Sequence, residues 1–298
     1  MQSLIKIICI AGPTASGKSA RAIEEALAQN GEIISVDSRQ VYRGLDIGTE
    51  KITPEEIRQL AERGVPHHLI DIREPSENYS AGDFVTDATK LIEEISEKGK
   101  LPILVGGTHF YFDALLRPVA EVAENPTFRA EIEQLNTDEL FARIREQDPR
   151  RAAELDPLNR RRLIRALEII ASLGSVPPRG EDIRCPNMHF ETRTSPGLTY
   201  EVRWIVIDPP KEELQARIDT RLRQALERGL VDEVHRVREQ VGDTRLNELG
   251  LEYKIIGEFL RGELAEELLL PTLSTKLWHY VRRQKAWLRK LELGSPTS

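Results

Sequence analysis

Cysteine is nearly missing from this chain. Two residues among 298, Cys9 and Cys185, stand far apart and in no CxxC or CxxH spacing. That excludes a disulfide framework and a thiolate zinc site, and it suits reduced thiols in a cytoplasm. Long apolar runs are missing as well. None approaches the roughly 18 residues that a membrane span needs, and the first residues carry no Arg-rich or signal-like segment. Metal-ligand spacing is also lacking. His67-His68 comes nearest, but neighbours on an extended segment point to opposite faces. Basic excess is absent overall, with a net charge of −7, which argues against nonspecific nucleic-acid binding. Neither an internal repeat nor a long low-complexity segment is present. What remains, 40% hydrophobic and 31% charged residues, suits a soluble cytoplasmic protein, expected to be a monomer. The length allows one sizeable core and a smaller appended domain.

One more absence is local. No acidic residue occurs from Leu268 to Leu291, while Lys276, Arg282, Arg283, Lys285, Arg289 and Lys290 do, interleaved with Trp278, Tyr280 and Trp287. A second basic cluster lies at Arg160, Arg161, Arg162 and Arg165. Two confined basic patches on an acidic chain suit an anion bound at a specific place.

The most informative stretch is Gly12-Pro13-Thr14-Ala15-Ser16-Gly17-Lys18-Ser19. It fits the phosphate-loop pattern of nucleotide- and ATP-binding proteins: Gly, four residues, Gly-Lys, then Ser or Thr. An apolar strand, Leu4–Ile10, precedes it, and a helix with Ile23, Ala26 and Leu27 on one face follows. Bare N–H groups at the helix start would receive phosphate oxygens, Lys18 adds a full charge, and the Ser19 hydroxyl can ligate magnesium. The motif implies a bound pyrophosphate but leaves open whether the chemistry occurs at phosphorus.

Further strands are expected at Ile33–Val36, His68–Ile72, Leu101–Val105 and Arg203–Ile207, alternating with helices. One helix is capped by Thr53 with Pro54 in its first turn, and another opens on a Ser80/Asp83 capping box. The fold class is therefore α/β, a parallel phosphate-loop NTPase-like sheet flanked by helices, with its ligand at the strand ends. Residues 1–118 form the first part of the core. Residues 119–198 show no convincing strand and read as an all-helical insertion domain, placed to act as lid or substrate clamp. Residues 199–298 complete the core and add C-terminal helices that carry the acid-free basic run.

Three clusters are expected at the strand ends. Asp37 could accept a proton, hold magnesium, or cap the following turn. Gly106-Gly107-Thr108 would bring backbone to the ligand and offer a neutral hydroxyl donor, suited to a departing oxygen. Arg217 and Arg221, four apart on one helix, would make a fork for phosphate oxygens.

Together these motifs resemble the tRNA dimethylallyltransferase (tRNA isopentenyltransferase) family over about Ile7 to Arg289. The likeness rests on the phosphate loop and on Asp37-Ser38-Arg39-Gln40-Val41-Tyr42 followed by Leu45-Asp46-Ile47-Gly48-Thr49. It also rests on Val65-Pro66-His67-His68, on Val105-Gly106-Gly107-Thr108 with Tyr111, on Arg217 with Arg221, and on Arg282-Arg283-Gln284 with Trp287. The resemblance implies transfer of a dimethylallyl group from its diphosphate to the exocyclic amine of the adenosine 3′ of the anticodon, with Mg2+. It implies Asp37 as the base, Thr108 as donor to the bridging oxygen, and the loop with Arg221 on the diphosphate. Against the tRNA anticodon stem-loop it implies Asp37, Ser38, Arg39 and Gln40, with Arg129, Arg161, Arg162, Leu163, Ile164 and Arg165. Arg282, Arg283, Gln284, Lys285, Ala286, Trp287, Leu288 and Arg289 complete that set.

Three places depart from the family pattern, all expected to lie away from the chemistry: Glu252-Tyr253-Lys254 for Gly-Tyr-basic, Leu277-Trp278 for Thr-Arg, and Ser175 for Lys. Rival readings are an adenylate isopentenyltransferase, a phosphate-loop small-molecule kinase, and a nucleotide-holding RNA-binding module.

Overall fold

The computed structural model describes residues 4–116, 122, 125–177, 189–194 and 198–292. Six strands form one sheet: β1 (Leu4–Ala11), β2 (Gly31–Ser35), β3 (His67–His68), β4 (Leu101–Gly106), β5 (His189–Thr194) and β6 (Leu198–Val206). Their order is β3-β2-β4-β1-β6-β5, parallel except for β5. The expected α/β class holds.

Alternation along β1 shows how both faces are buried. Ile7, Cys9 and Ala11 join one apolar cluster, and Ile8 and Ile10 join another. The second face is covered by α1 (Lys18–Gln29) and α2 (Pro54–Glu62), whose Thr53/Glu56 capping box is formed. In α1 the buried apolar side chains are Ala22 and Ala26, while Leu27 is exposed, so the inward stripe lies one position earlier than expected. The first face carries α3 (Ala81–Glu97), α4 (His109–Leu116), α9 (Lys211–Glu227), α10 (Leu230–Leu246), α11 (Leu251–Leu260) and α12 (Glu266–Glu292). As expected, Ser80 and Asp83 cap α3 reciprocally, and Leu214, Ile218 and Leu222 form the buried stripe of α9.

Two strand expectations need correction. β3 stops after His68 because Leu69 and Asp71 take positive φ, 61° and 54°. The chain turns there, and Asp71 and Ile72 donate N–H to the carbonyls of Gln40 and Val41. β5 lies inside a stretch read as strandless; flanking Pro and Gly hid a six-residue edge strand that pairs antiparallel with β6.

The chain divides into two compact units, residues 118–181 and the rest. The insertion thus closes near residue 181 and not at 198, because β5 belongs to the sheet. The smaller unit is all-helical among its described residues: α5 (Pro126–Ile132), α6 (Thr137–Gln147), α7 (Pro149–Glu154) and α8 (Arg160–Leu173). It has its own core, including Ile132, Leu140, Ile144, Leu163, Ile164 and Leu167. Cys185 falls outside the described residues.

Candidate active site

β1, β2 and β4 end side by side, and the turns that follow them wall a cavity of about 1430 Å³. Thr14, Ala15, Gly17, Lys18 and Ser19 line this cavity. Asp37, Ser38, Arg39, Gln40, Thr108, Arg221 and Glu252 line it too.

Gly17, at φ 89°, is the N-cap of α1, and no side chain caps that helix. Its first N–H groups are therefore left for an anion. Gly12 is required by packing: a Cβ there would lie 2.5 Å from Ser16 Oγ and 2.7 Å from the Ile207 carbonyl. Ser16 Oγ is buried without a partner among the described residues, an orphan hydroxyl of the kind that a bound anion satisfies. Lys18 Nζ donates to the Pro13 carbonyl at 3.2 Å. Burial draws its pKa below the usual lysine value; Asp37 and Glu50 push it back up, and Arg221 adds to the lowering.

Asp37 Oδ1 accepts N–H bonds from Arg39 (2.8 Å) and Gln40 (3.3 Å). It does cap the turn, yet Oδ2 accepts no hydrogen bond among the described residues and the carboxylate lines the cavity. Ser38 N–H donates to Thr108 Oγ1 at 3.0 Å, which joins the Asp37 turn to the Thr108 turn. Among the described residues the Thr108 proton has only Ser38 Oγ, at 3.4 Å. That is a weak hold, so the hydroxyl remains able to donate. The glycines before it serve packing more than ligand approach. A Cβ on Gly106 would sit 2.0 Å from the Val36 carbonyl oxygen, and one on Gly107 2.7 Å from Gln284 Nε2.

Arg221 Nη1 donates to Thr14 Oγ1 and Nη2 to the Gly48 carbonyl at 3.0 Å. Arg217 does not complete a phosphate fork: its Nη1 reaches the carbonyls of Ala15 and Ser16, and Nη2 meets Glu213. It braces the loop from outside.

The residues expected to meet tRNA separate into two kinds. Gln284 is 4% exposed; Oε1 accepts from Thr14 N–H at 3.1 Å and Nε2 donates to the Gly107 carbonyl at 3.0 Å. Expected at the RNA, its amide here bridges the phosphate loop and the Thr108 turn. The side chains of Leu288, Leu163 and Ile164, expected at the RNA, are buried in the core. Trp287 stacks on His109 (centroids 4.2 Å apart, planes at 8°) and donates Nε1–H to Asp113 Oδ2. Lys285 pairs with Asp208 at 2.5 Å. Arg129 and Arg165 grip the buried Glu168 at 3.3 and 3.1 Å. Gln40 Nε2 donates to the Thr49 carbonyl. Exposed and without ion pairs among the described residues are Arg161, Arg162, Arg282, Arg283 and Arg289; Ala286 is exposed too. Arg283 lines the cavity, its guanidinium 5.9 Å from the centroid of the exposed Tyr280 ring. Tyr280 stays out of the core, whereas its α12 neighbours Leu277 and Val281 are buried.

A magnesium ion would find hard oxygen donors here, the Ser19 hydroxyl among them. No group of three or more His, Cys, Asp or Glu side chains among the described residues could cage one. The donor set therefore fits an ion carried chiefly by phosphate oxygens.

The family model for IPP transferase matches residues 40–291. This chain belongs to that family. A tRNA dimethylallyltransferase of Thermomicrobium roseum is 40% identical over 293 residues, spanning 96% of this chain and 84% of the relative. One of Streptococcus sanguinis is 39% identical over 292 residues, 95% and 89% of the two chains. Among solved structures, the full-length tRNA isopentenylpyrophosphate transferase of Bacillus halodurans is similar at TM-score 0.66 and 37% identity, covering 95% of this chain and 86% of that one. A eukaryotic dimethylallyltransferase captured acting on tRNA gives TM-score 0.77 and 28% identity, with 95% and 70% coverage.

Against the IPP transferase pattern, two departures lie nearer the chemistry than expected, Glu252 and Leu277, both on the cavity wall. Glu252 lines the cavity, its Oε1 3.4 Å from Arg221 Nη2. Leu277 is buried and Trp278 packs on the core, while Ser175 is exposed in the helical unit. Sequence reasoning missed Glu50, 3.3 Å from Arg221 Nε, and Glu233. The Glu233 carboxylate accepts N–H bonds from Asp46, Ile47 and Gly48 and the Tyr253 hydroxyl proton at 2.6 Å. No motif marks either: Glu50 lies in a turn, and Glu233, at helical spacing on α10, looks like any solvated carboxylate.

Proposed function

We infer that this chain is a tRNA dimethylallyltransferase that moves the dimethylallyl group of dimethylallyl diphosphate onto the exocyclic amine of the adenosine 3′ of the anticodon. The reading is carried by one juxtaposition: an open carboxylate oxygen of Asp37 and a loosely held Thr108 hydroxyl, joined through Ser38, on the wall of a phosphate-loop cavity. The new bond forms between the adenine amine nitrogen and the first prenyl carbon. The bond from that carbon to the bridging oxygen breaks, and its electron pair leaves with the diphosphate. Thr108 donates to that oxygen as charge develops, and Asp37 takes the amine proton. Lys18, the α1 N-terminus and Arg221 hold the departing diphosphate. The Ser19 hydroxyl would hold a magnesium ion there, which would neutralise part of the diphosphate charge.

The adenosine must leave its stack to reach this carbon. Exposed Arg282, Arg283 and Arg289 supply the phosphate-facing charge that an acidic chain otherwise lacks, and Arg161 and Arg162 add to it from the helical unit.

Labelled dimethylallyl diphosphate offered with tRNA or with AMP tests the reading. Label is expected in tRNA; label in AMP would make it an adenylate enzyme. Asp37→Asn should keep tRNA affinity and lose roughly a hundred- to ten-thousand-fold in turnover. Thr108→Ala should lose about a hundred- to thousand-fold in kcat with KM for the diphosphate little changed.

A further inference from the structure

Arg221 already has anionic partners. Glu50 Oε2 lies 3.3 Å from its Nε and Glu252 Oε1 3.4 Å from its Nη2. The Arg221 and Glu252 side chains are only 10% and 13% exposed, so water screens them poorly. Glu50, 46% exposed, can turn to solvent when another anion arrives. Glu252 has no such exit. It sits in the first turn of α11, next to Tyr253, a buried ring whose hydroxyl is anchored on Glu233.

We propose that Glu252 is a competitor built into the diphosphate site: as a carboxylate it holds Arg221 and opposes the incoming diphosphate, so that diphosphate binding brings a proton onto Glu252. The proposal rests on the reading of Arg221 given above. The proton comes from solvent and adds to a carboxylate oxygen, and the neutral acid then donates where the carboxylate repelled.

Facing Glu252 are Arg221 from α9, Asp37 from the turn after β2, Glu50 from the loop before α2, and Tyr280 from α12. Burial raises the Glu252 pKa above the usual carboxylate range, Asp37 and Glu50 push the same way, and Arg221 opposes them. A diphosphate that draws Arg221 toward itself weakens that opposition and adds negative charge, so both changes favour protonation.

Calorimetric titration with inorganic pyrophosphate and Mg2+, in two buffers of different ionisation enthalpy and from mildly acidic to alkaline pH, reads the linkage. Wild type is compared with Glu252→Gln and, as a second variant, Glu252→Gly. Wild type is expected to take up more protons than either variant and to bind roughly tenfold more weakly at alkaline pH, converging with them in acid. Equal proton uptake and parallel affinities would overturn the proposal and leave the prenyl-transfer reading intact. Weaker binding by both variants would also overturn it, making Glu252 a supporting partner of Arg221. A wild type that binds no pyrophosphate would instead remove the diphosphate reading itself.

Discussion

Two runs of arginine, Arg160–Arg165 on α8 and Arg282–Arg289 on α12, look alike in sequence and do different work in the fold. On α8, Arg160 donates to the carbonyls of Leu135 and Glu133, and Arg165 grips the buried Glu168 and the Val122 carbonyl. These cations hold a small helical unit together. On α12 the inward positions are apolar or amide, Leu277, Val281, Gln284 and Leu288, and three arginines stand outside. A basic run is therefore not one patch. Its members divide by which face the helix buries, and only the outward ones are available to RNA.

The largest effect should come from the two cations that grip Glu168, Arg129 on α5 and Arg165 on α8. Removing Arg129 and Arg165 together strands the Glu168 carboxylate, of which 2% is exposed. Breaking a buried pair costs roughly 3–5 kcal/mol. Both arginines are more than a third exposed, so a loss near the lower end, about 3 kcal/mol, is expected for the helical unit. Denaturant unfolding of Arg129→Ala/Arg165→Ala measures it; an unchanged midpoint would erase the distinction drawn between the two runs.

Much of this division was legible beforehand, and the rest was hidden for physical reasons. The phosphate loop, the capping boxes and the α9 stripe follow from local chemistry, and all were readable. Long-range partners were not. The sequence pattern marks Gln284 as one of a basic run, yet its amide bridges residues 270 and 177 positions away. Glu252 was singled out as a departure but placed away from the chemistry, because only the packing of α12 against both α9 and α11 brings it to Arg221. β5 escaped because an edge strand of mixed polar residues among Pro and Gly gives little period-two signal.

A smaller effect concerns the inner face of α12. His109, stacked on Trp287, has its pKa pushed down to about 4, first by burial and then by the Lys18 charge. The ordinary value is 6.5, so on acidification the unfolded chain takes this proton first. The stabilisation is present above the ordinary value and is lost as pH falls from there toward about 4. It should amount to about 2.5 kcal/mol over that window. His109→Phe keeps a ring for the stack and removes the titration. Its thermal unfolding should fall less steeply in this window than the wild type's. Parallel acid limbs would mean that His109 does not couple α12 to pH.

The smallest effects on stability should be the most informative about RNA. Arg161→Ala/Arg162→Ala and Arg282→Ala/Arg283→Ala/Arg289→Ala remove exposed cations without ion pairs among the described residues, so each set should change stability by only about 0.5 kcal/mol. Binding should respond instead. Each phosphate that a removed cation no longer neutralises lowers the slope of log K against log salt by roughly 0.7–0.9. If each arginine meets one phosphate, the α12 triple should lower the slope by about 2–3 and the α8 pair by about 1.5. Base-edge recognition would behave differently, its removal weakening binding to one anticodon loop more than to another at an unchanged slope. Arg283 is the residue to watch, because it alone among the five lines the cavity. Arg283→Ala by itself should therefore lower turnover on tRNA as well as affinity, whereas Arg289→Ala should lower affinity only. Equal effects of the two on kcat would place the whole outer face of α12 in RNA capture and none of it at the target base.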